Sequence, residues 1–125
     1  MDFKNFSATA TVALGGLAGA LLRWGIEETL PQGVLIVNTI GSALLGIVVA
    51  AWLNQADSAS HEKLLNALVG FCGSFTTFSA IAFAAAQHID EGEFARGVGS
   101  LLLQFALGLP AAWFGFWVMR RWKAA

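Results

Sequence analysis

The chain has 125 residues, of which 57% are hydrophobic and only 12% are charged. Soluble domains carry about twice that charged fraction. Long uncharged runs and a mean hydropathy of +0.67 therefore predict an all-α integral membrane protein. The formal net charge of −1 provides no basic surface for nucleic acid. The single cysteine, Cys72, excludes an intrachain disulfide and argues against a zinc site.

Four apolar spans make up a single membrane domain, at about residues 7–26, 34–53, 64–87 and 97–119. The first span holds Gly15 and Gly19 in a GxxxG pattern, which is typical of closely packed helices. It ends at Arg23, which either anchors the helix at the headgroups or forms a fixed positive charge at the mouth of an aqueous vestibule. Glu27 and Glu28 are expected in the loop that follows.

The second span holds one strongly polar residue, Asn38. A carboxamide inside a membrane needs a partner and usually faces the bundle interior. Two interpretations stay open: a hydrogen bond that only holds the helices together, or a donor that faces a conduction path. The fourth span carries Ser100, Gln104 and Gly108 four residues apart, which predicts a narrow polar stripe on one helix face. Pro110 is expected to kink or loosen this helix.

The middle of the third span, residues 70–79, consists of glycine, serine and threonine with interleaved phenylalanines. Each glycine weakens a helix by roughly 1 kcal/mol relative to alanine, and the hydroxyls compete for backbone hydrogen bonds. The composition predicts a broken helix at the bilayer midplane, with free backbone groups buried by protein or facing a watery cavity. The alternative is an unbroken helix whose glycine face packs against a neighbour.

Polar loops are expected at residues 54–63 and from His88 to Arg96, with His61 solvated in the first. No metal cluster is expected, because the histidines and the cysteine are far apart in sequence. The basic residues favour cytoplasmic termini. Five basic residues are expected on the side of the membrane that holds both termini: Lys4, Lys63, Arg120, Arg121 and Lys123. Two are expected on the opposite side: Arg23 and Arg96.

The spans contain no nucleophile–base pair, no phosphate-binding loop and no pair of carboxylates, so no enzyme is predicted. They do contain neutral hydrogen-bond donors and aromatic rings, whose edges carry partial positive charge. Such groups suit a small hydrated anion, because they replace part of its water shell without trapping it. The donors are Asn38, Thr76, Thr77, Ser79, Ser100 and Gln104.

Three stretches in order, residues 15–24, 37–46 and 70–79, resemble the motifs of the small bacterial fluoride channels, the CrcB or Fluc family. The resemblance covers essentially the whole chain. It implies an antiparallel, dual-topology homodimer in the bacterial inner membrane, with two pores that export fluoride passively and give fluoride resistance. It also implies a sodium ion at the dimer centre.

The resemblance further implies roles for individual residues. The backbone carbonyls of Gly73 and Thr76 would hold the sodium ion, and Arg23 would lie in the vestibule. The implied pore residues are Asn38, the first pore phenylalanine Phe78, its neighbours Thr77 and Ser79, and Ser100 and Gln104 on the fourth helix. One departure is Ile81, which stands where the family usually has a second pore phenylalanine.

Two other functions remain as alternatives. A small four-span proton-coupled multidrug exporter needs a glutamate within its first helix, and this chain has none there before Glu27. A non-conducting membrane assembly protein would respond to polar substitutions in the third span with altered stability and oligomeric state. It would show no change in ion flux.

Overall fold

The computed structural model describes residues 3–54 and 59–125, and this part of the chain is all-helical. Its helices are α1 (Phe3–Thr29), α2 (Gly33–Leu53), α3 (Ala59–Phe75), α4 (Phe78–Asp90) and α5 (Phe94–Ala124). Four segments of the described chain are long and apolar enough to cross a membrane, with α3 and α4 together forming the third. The protein is therefore a multi-pass membrane protein.

Glycines allow the helices to pack with their backbones in contact. α1 lies along α3, and α2 lies along α5. A Cβ atom on Gly15 would collide with the backbone of Ala67, and one on Gly46 would collide with the backbone of Ala112. Within a membrane, the hydrophobic effect does not drive helices together, because lipid tails are as apolar as leucine. Helix association therefore depends on the close backbone packing that small residues allow. The packing role predicted for Gly15 is confirmed.

The buried core is small and lies between α2 and α3. Val48, Ala51, Leu65 and Cys72 form one cluster, and Cys72 is a packing residue within it. Most large apolar side chains are instead exposed on the single chain. That distribution is expected of helices whose outer faces contact lipid.

The first two loops predicted from the sequence are partly helical in the structure. α1 continues to Thr29, so the prediction that Glu27 and Glu28 lie in a loop is wrong. Glutamate is a good helix former, and Glu27 pairs with Arg23 one turn earlier. α3 begins at Ala59, so the later part of the loop predicted at 54–63 is helical. Residues 55–58 lie outside the described residues.

The connection between α4 and α5 is also shorter than the loop predicted from His88 to Arg96. α4 continues to Asp90, so His88 lies in its final turn and only residues 91–93 separate α4 from α5. Gly92 has a φ of +83°, a conformation that glycine adopts without a steric penalty. Glu93 N then donates to His88 O over 2.7 Å. α5 is helical on both sides of Pro110.

Candidate functional site

Two residues, Thr76 and Thr77, separate α3 from α4. Thr76 closes α3, since its backbone N and its Oγ1 both donate to Cys72 O, over 3.1 and 2.9 Å. Thr77 is extended, with φ −147° and ψ 114°, and its Oγ1 accepts from Ala80 N over 3.2 Å as the N-cap of α4. Each helix end is therefore capped by the hydroxyl groups that the sequence places there.

Asn38 on α2 pairs with the backbone of Thr77. Thr77 N donates to Asn38 Oδ1 over 2.7 Å, and Asn38 Nδ2 donates to Thr77 O over 3.1 Å. A buried backbone group without a partner costs about 1–3 kcal/mol. The carboxamide thus gives Thr77 N the acceptor that it would have had in a continuous helix. It also adds a side-chain donor to Thr77 O, the carbonyl at which α4 begins.

Gln104 on α5 completes this polar group. Asn38 Nδ2 donates to Gln104 Oε1 over 3.3 Å, so both amide hydrogens of Asn38 have acceptors. Within the described chain, no hydrogen bond engages the Nε2 of Gln104. Asn38 therefore holds the segment between α3 and α4, whereas Gln104 offers the unengaged amide donors. We call Asn38, Thr77 and Gln104 the polar junction.

Two cavities share Gln104 of the polar junction in their walls. The inner cavity, of about 290 Å³, is lined by Asn38, Thr76, Thr77 and Phe78 among others. The outer cavity, of about 650 Å³, lies between the α1–α2 turn and the facing ends of α4 and α5, and Ser100 lines its wall. Ile81 and Gln104 line both cavities. The polar stripe of α5 therefore runs from one cavity into the other.

The other predicted site residues have the following positions and contacts. Phe78 is 64% exposed, at the rim of the inner cavity. Ser79 Oγ lies 3.1 Å from Thr77 Oγ1, and Ser100 Oγ donates to Gly97 O over 2.8 Å. Phe83, two residues beyond Ile81, is exposed and lines neither cavity.

Arg23 lies beside the α3–α4 segment but outside both cavity walls. Its Nε donates to Ser74 O over 3.0 Å, and its Nη1 lies 3.6 Å from Glu27 Oε1. The arginine therefore holds the last turn of α3 through a backbone carbonyl. The hydrogen bond occupies one guanidinium donor, and the carboxylate of Glu27 offsets part of the positive charge.

The carbonyl groups of Gly73 and Thr76 have lost their helical donors. The amides that would serve them in a continuous helix, Thr77 N and Ala80 N, donate instead to Asn38 Oδ1 and Thr77 Oγ1. Among the described residues no other amide donates to either oxygen. A side chain at Gly73 would enter open space, so this end of α3 faces outward from the single chain. Unpaired carbonyl oxygens are suitable ligands for a hard cation.

Three charged or titratable residues of the outer cavity were absent from the predicted site: Glu27, His88 and Arg96. Arg96 lies four residues before Ser100, so extending the α5 stripe by one turn would have identified it. The expectation of no metal cluster rested on the distances in sequence between the histidines and Cys72, and it stays a prediction. His88, Glu91 and Glu93 place ligand atoms within 4.8 Å of one another.

Sequence comparisons show a known family and similar proteins. A family described as CrcB-like protein, Camphor Resistance (CrcB) matches residues 10–116. A Synechococcus sp. (strain CC9605) protein named fluoride-specific ion channel FluC 2 is 42% identical over 112 residues, covering 90% of this chain and 80% of its own. Vibrio parahaemolyticus serotype O3:K6 FluC is 32% identical, covering 94% of this chain and 98% of its own. Because the family matches most of the length of this chain, the chain belongs to the CrcB-like protein family.

Proposed function

We propose that the protein is a fluoride-selective channel that exports fluoride passively across the bacterial inner membrane and so confers fluoride resistance. The names of its relatives, including FluC 1 of Geobacillus kaustophilus at 37% identity over 116 residues, support this function. These names are of ion channels rather than enzymes. The observation that carries the proposal is the polar junction, whose Gln104 lies in the walls of both cavities.

The proposed route follows the polar stripe of α5. Fluoride enters the outer cavity, passes Ser100 and reaches the free amide donors of Gln104, where the inner cavity begins. Phe78 then presents a ring whose edge carries partial positive charge. Several weak neutral sites in a row allow an anion to enter and also to leave, as conduction requires.

Asn38 acts in this route as a positioning residue. Its carboxamide holds Thr77 and orients Gln104. We propose that residues 76 and 77 are a break within the third membrane span, where freed backbone is tolerated because it is buried by protein or lines a watery cavity. Ile81, which stands in place of a second aromatic ring, contributes only apolar wall to both cavities. Gln104, which lines the same two cavities, would supply the polar contact for fluoride there.

The proposed functional unit is an inverted, dual-topology homodimer. Phe78 and Gly73 are both exposed on the single chain, and a second copy would cover them. Where the two copies meet, the carbonyl oxygens of Gly73 and Thr76 would hold a sodium ion. The unpaired state of these carbonyls fits that role. Bound there, a sodium ion would supply a positive charge that stabilises these carbonyl dipoles.

The test is fluoride efflux from liposomes that contain the purified protein, measured with a fluoride electrode after potassium ionophore is added. Chloride efflux is measured in parallel. We expect rapid fluoride release with little chloride release. Intact dimers that release no fluoride would contradict the proposal. Export of hydrophobic cations driven by a proton gradient would instead establish the multidrug exporter, and an absence of all flux would favour the assembly protein.

A further inference from the structure

Arg96 extends the polar stripe of α5 toward the beginning of the helix. It precedes Ser100 by four residues and Gln104 by eight, so the three side chains share one face. A helix rises 1.5 Å per residue, which puts Arg96 about 12 Å from Gln104 along the axis. All three residues line the outer cavity. The stripe therefore starts at a permanent positive charge and leads to amide donors.

The charge of Arg96 is only weakly neutralised. Arg96 Nη1 lies 3.0 Å from Glu93 Oε2, and the two side chains are 68% and 45% exposed. His88 Nδ1 contacts the same Glu93 oxygen over 3.3 Å and therefore shares that partner. Ion pairs between exposed side chains contribute little because water and salt screen them. A mobile anion can therefore compete with Glu93 for the guanidinium group.

Glu27 carries the opposite charge on the same cavity wall. Its Oε1 is buried, has no hydrogen bond among the described residues, and lies 3.6 Å from Arg23 Nη1. A carboxylate at this position repels an entering anion. Arg23 offsets part of that repulsion but lies outside the cavity wall and is held by Ser74 O.

We propose that Arg96 is the entry charge of the fluoride pathway, and that Glu27 opposes it. Arg96 raises the local concentration of fluoride in the outer cavity, on the same helix face as the donors of Gln104 and two turns before them. Charged clefts raise local ion concentrations and association rates in this way. The inference rests on the proposed function and assigns to it two residues outside the three motifs of the family.

The experiment compares fluoride efflux from liposomes for the full chain and four variants: Arg96→Gln, Arg96→Lys, Glu27→Gln and Lys63→Gln. Lys63→Gln is the matched control, since it removes one positive charge at an exposed position outside the cavity. Efflux is measured at sub-saturating fluoride and about 10 mM ionic strength, where the Debye length is about 30 Å. It is repeated with impermeant salt at about 1 M, where that length is about 3 Å.

At low ionic strength, we expect Arg96→Gln to lower the initial rate about two- to fivefold and Glu27→Gln to raise it. Arg96→Lys and Lys63→Gln should stay near the wild-type rate. At high ionic strength the differences should disappear. Equal rates for Arg96→Gln and Lys63→Gln, or a loss that salt does not remove, would overturn the role of Arg96. Wild-type protein that releases no fluoride under either condition would overturn the proposed function itself.

Discussion

At the scale of single residues, the central finding is a division of labour between two carboxamides. The side-chain oxygen of Asn38 accepts a hydrogen bond from Thr77 N, and its two amide hydrogens are donated to Thr77 O and Gln104 Oε1. Gln104 accepts one of those bonds and retains its own amide hydrogens at a point that both cavities share. In the proposed channel, Asn38 would therefore fix the geometry, and Gln104 would provide the contact for the ion.

Replacing Gln104 tests this assignment. Gln104→Leu removes the donors but keeps a side chain of similar size, so we expect fluoride efflux to fall at least about tenfold, the equivalent of roughly 1.4 kcal/mol. Gln87→Leu is the control, because Gln87 is exposed on α4 and lines neither cavity. The assignment fails if folded Gln104→Leu dimers conduct at the rate of the control.

Asn38→Asp preserves the size of the side chain but removes its amide hydrogens. A carboxylate would face Thr77 O and Gln104 Oε1, which are both acceptors. We expect fluoride efflux to fall sharply and the unfolding free energy to fall by about 1–3 kcal/mol.

Efflux measurements and thermal unfolding in detergent check both effects of this substitution. Asn54→Asp is the control, because Asn54 bonds to Ala50 O at the end of α2, away from both cavities. Wild-type efflux and wild-type stability in Asn38→Asp would show that the polar junction has no role in conduction.

At the scale of helices, glycine contacts set how closely α1 and α3 approach. In Gly15→Ala, the new methyl group would meet the Ala67 backbone, so we expect a loss of about 1–3 kcal/mol in unfolding free energy. Gly25→Ala in the same helix meets open space and should be neutral or stabilise by up to about 1 kcal/mol. Unfolding midpoints in detergent check both variants. Equal midpoints would refute the packing account.

The sequence predicts the spans well because apolar runs and small-residue spacing are local signals. The ends of the helices were harder to predict. Glu27 and His88 look like loop residues by polarity, yet each lies in a helix whose end extends beyond the apolar run. Polarity alone does not distinguish a solvated loop from the solvated turn of a helix.

The sequence predicts which residues form the candidate site but not the hydrogen bonds that connect them. Asn38, Thr77 and Gln104 were each identifiable as polar residues within spans. Their mutual hydrogen bonds depend on three helices meeting, over sequence separations of 39 and 66 residues. The bonds of both Asn38 amide hydrogens to protein acceptors could therefore be found only in the structure, and the role of Asn38 in conduction stays a prediction.

At the scale of the whole molecule, the proposed sodium ion makes stability depend on the cation present. A ligand bound only by the folded dimer stabilises it by about 2.7 kcal/mol at a hundredfold excess over its Kd. We expect the thermal midpoint of detergent-solubilised dimers to rise with sodium concentration, and not with N-methyl-D-glucamine at the same ionic strength. Identical midpoints in both salts at every concentration would contradict a sodium site at Gly73 and Thr76.

Passive, fluoride-selective conduction is the central claim, and a reversal potential tests it most directly. The protein is placed in a planar bilayer with fluoride salt on one side and an equal concentration of the chloride salt on the other. We predict a reversal potential set by fluoride and unchanged when a proton gradient is imposed. A reversal potential near zero would show that chloride passes equally well, and a current that requires the proton gradient would show coupled transport. Either result would contradict the account.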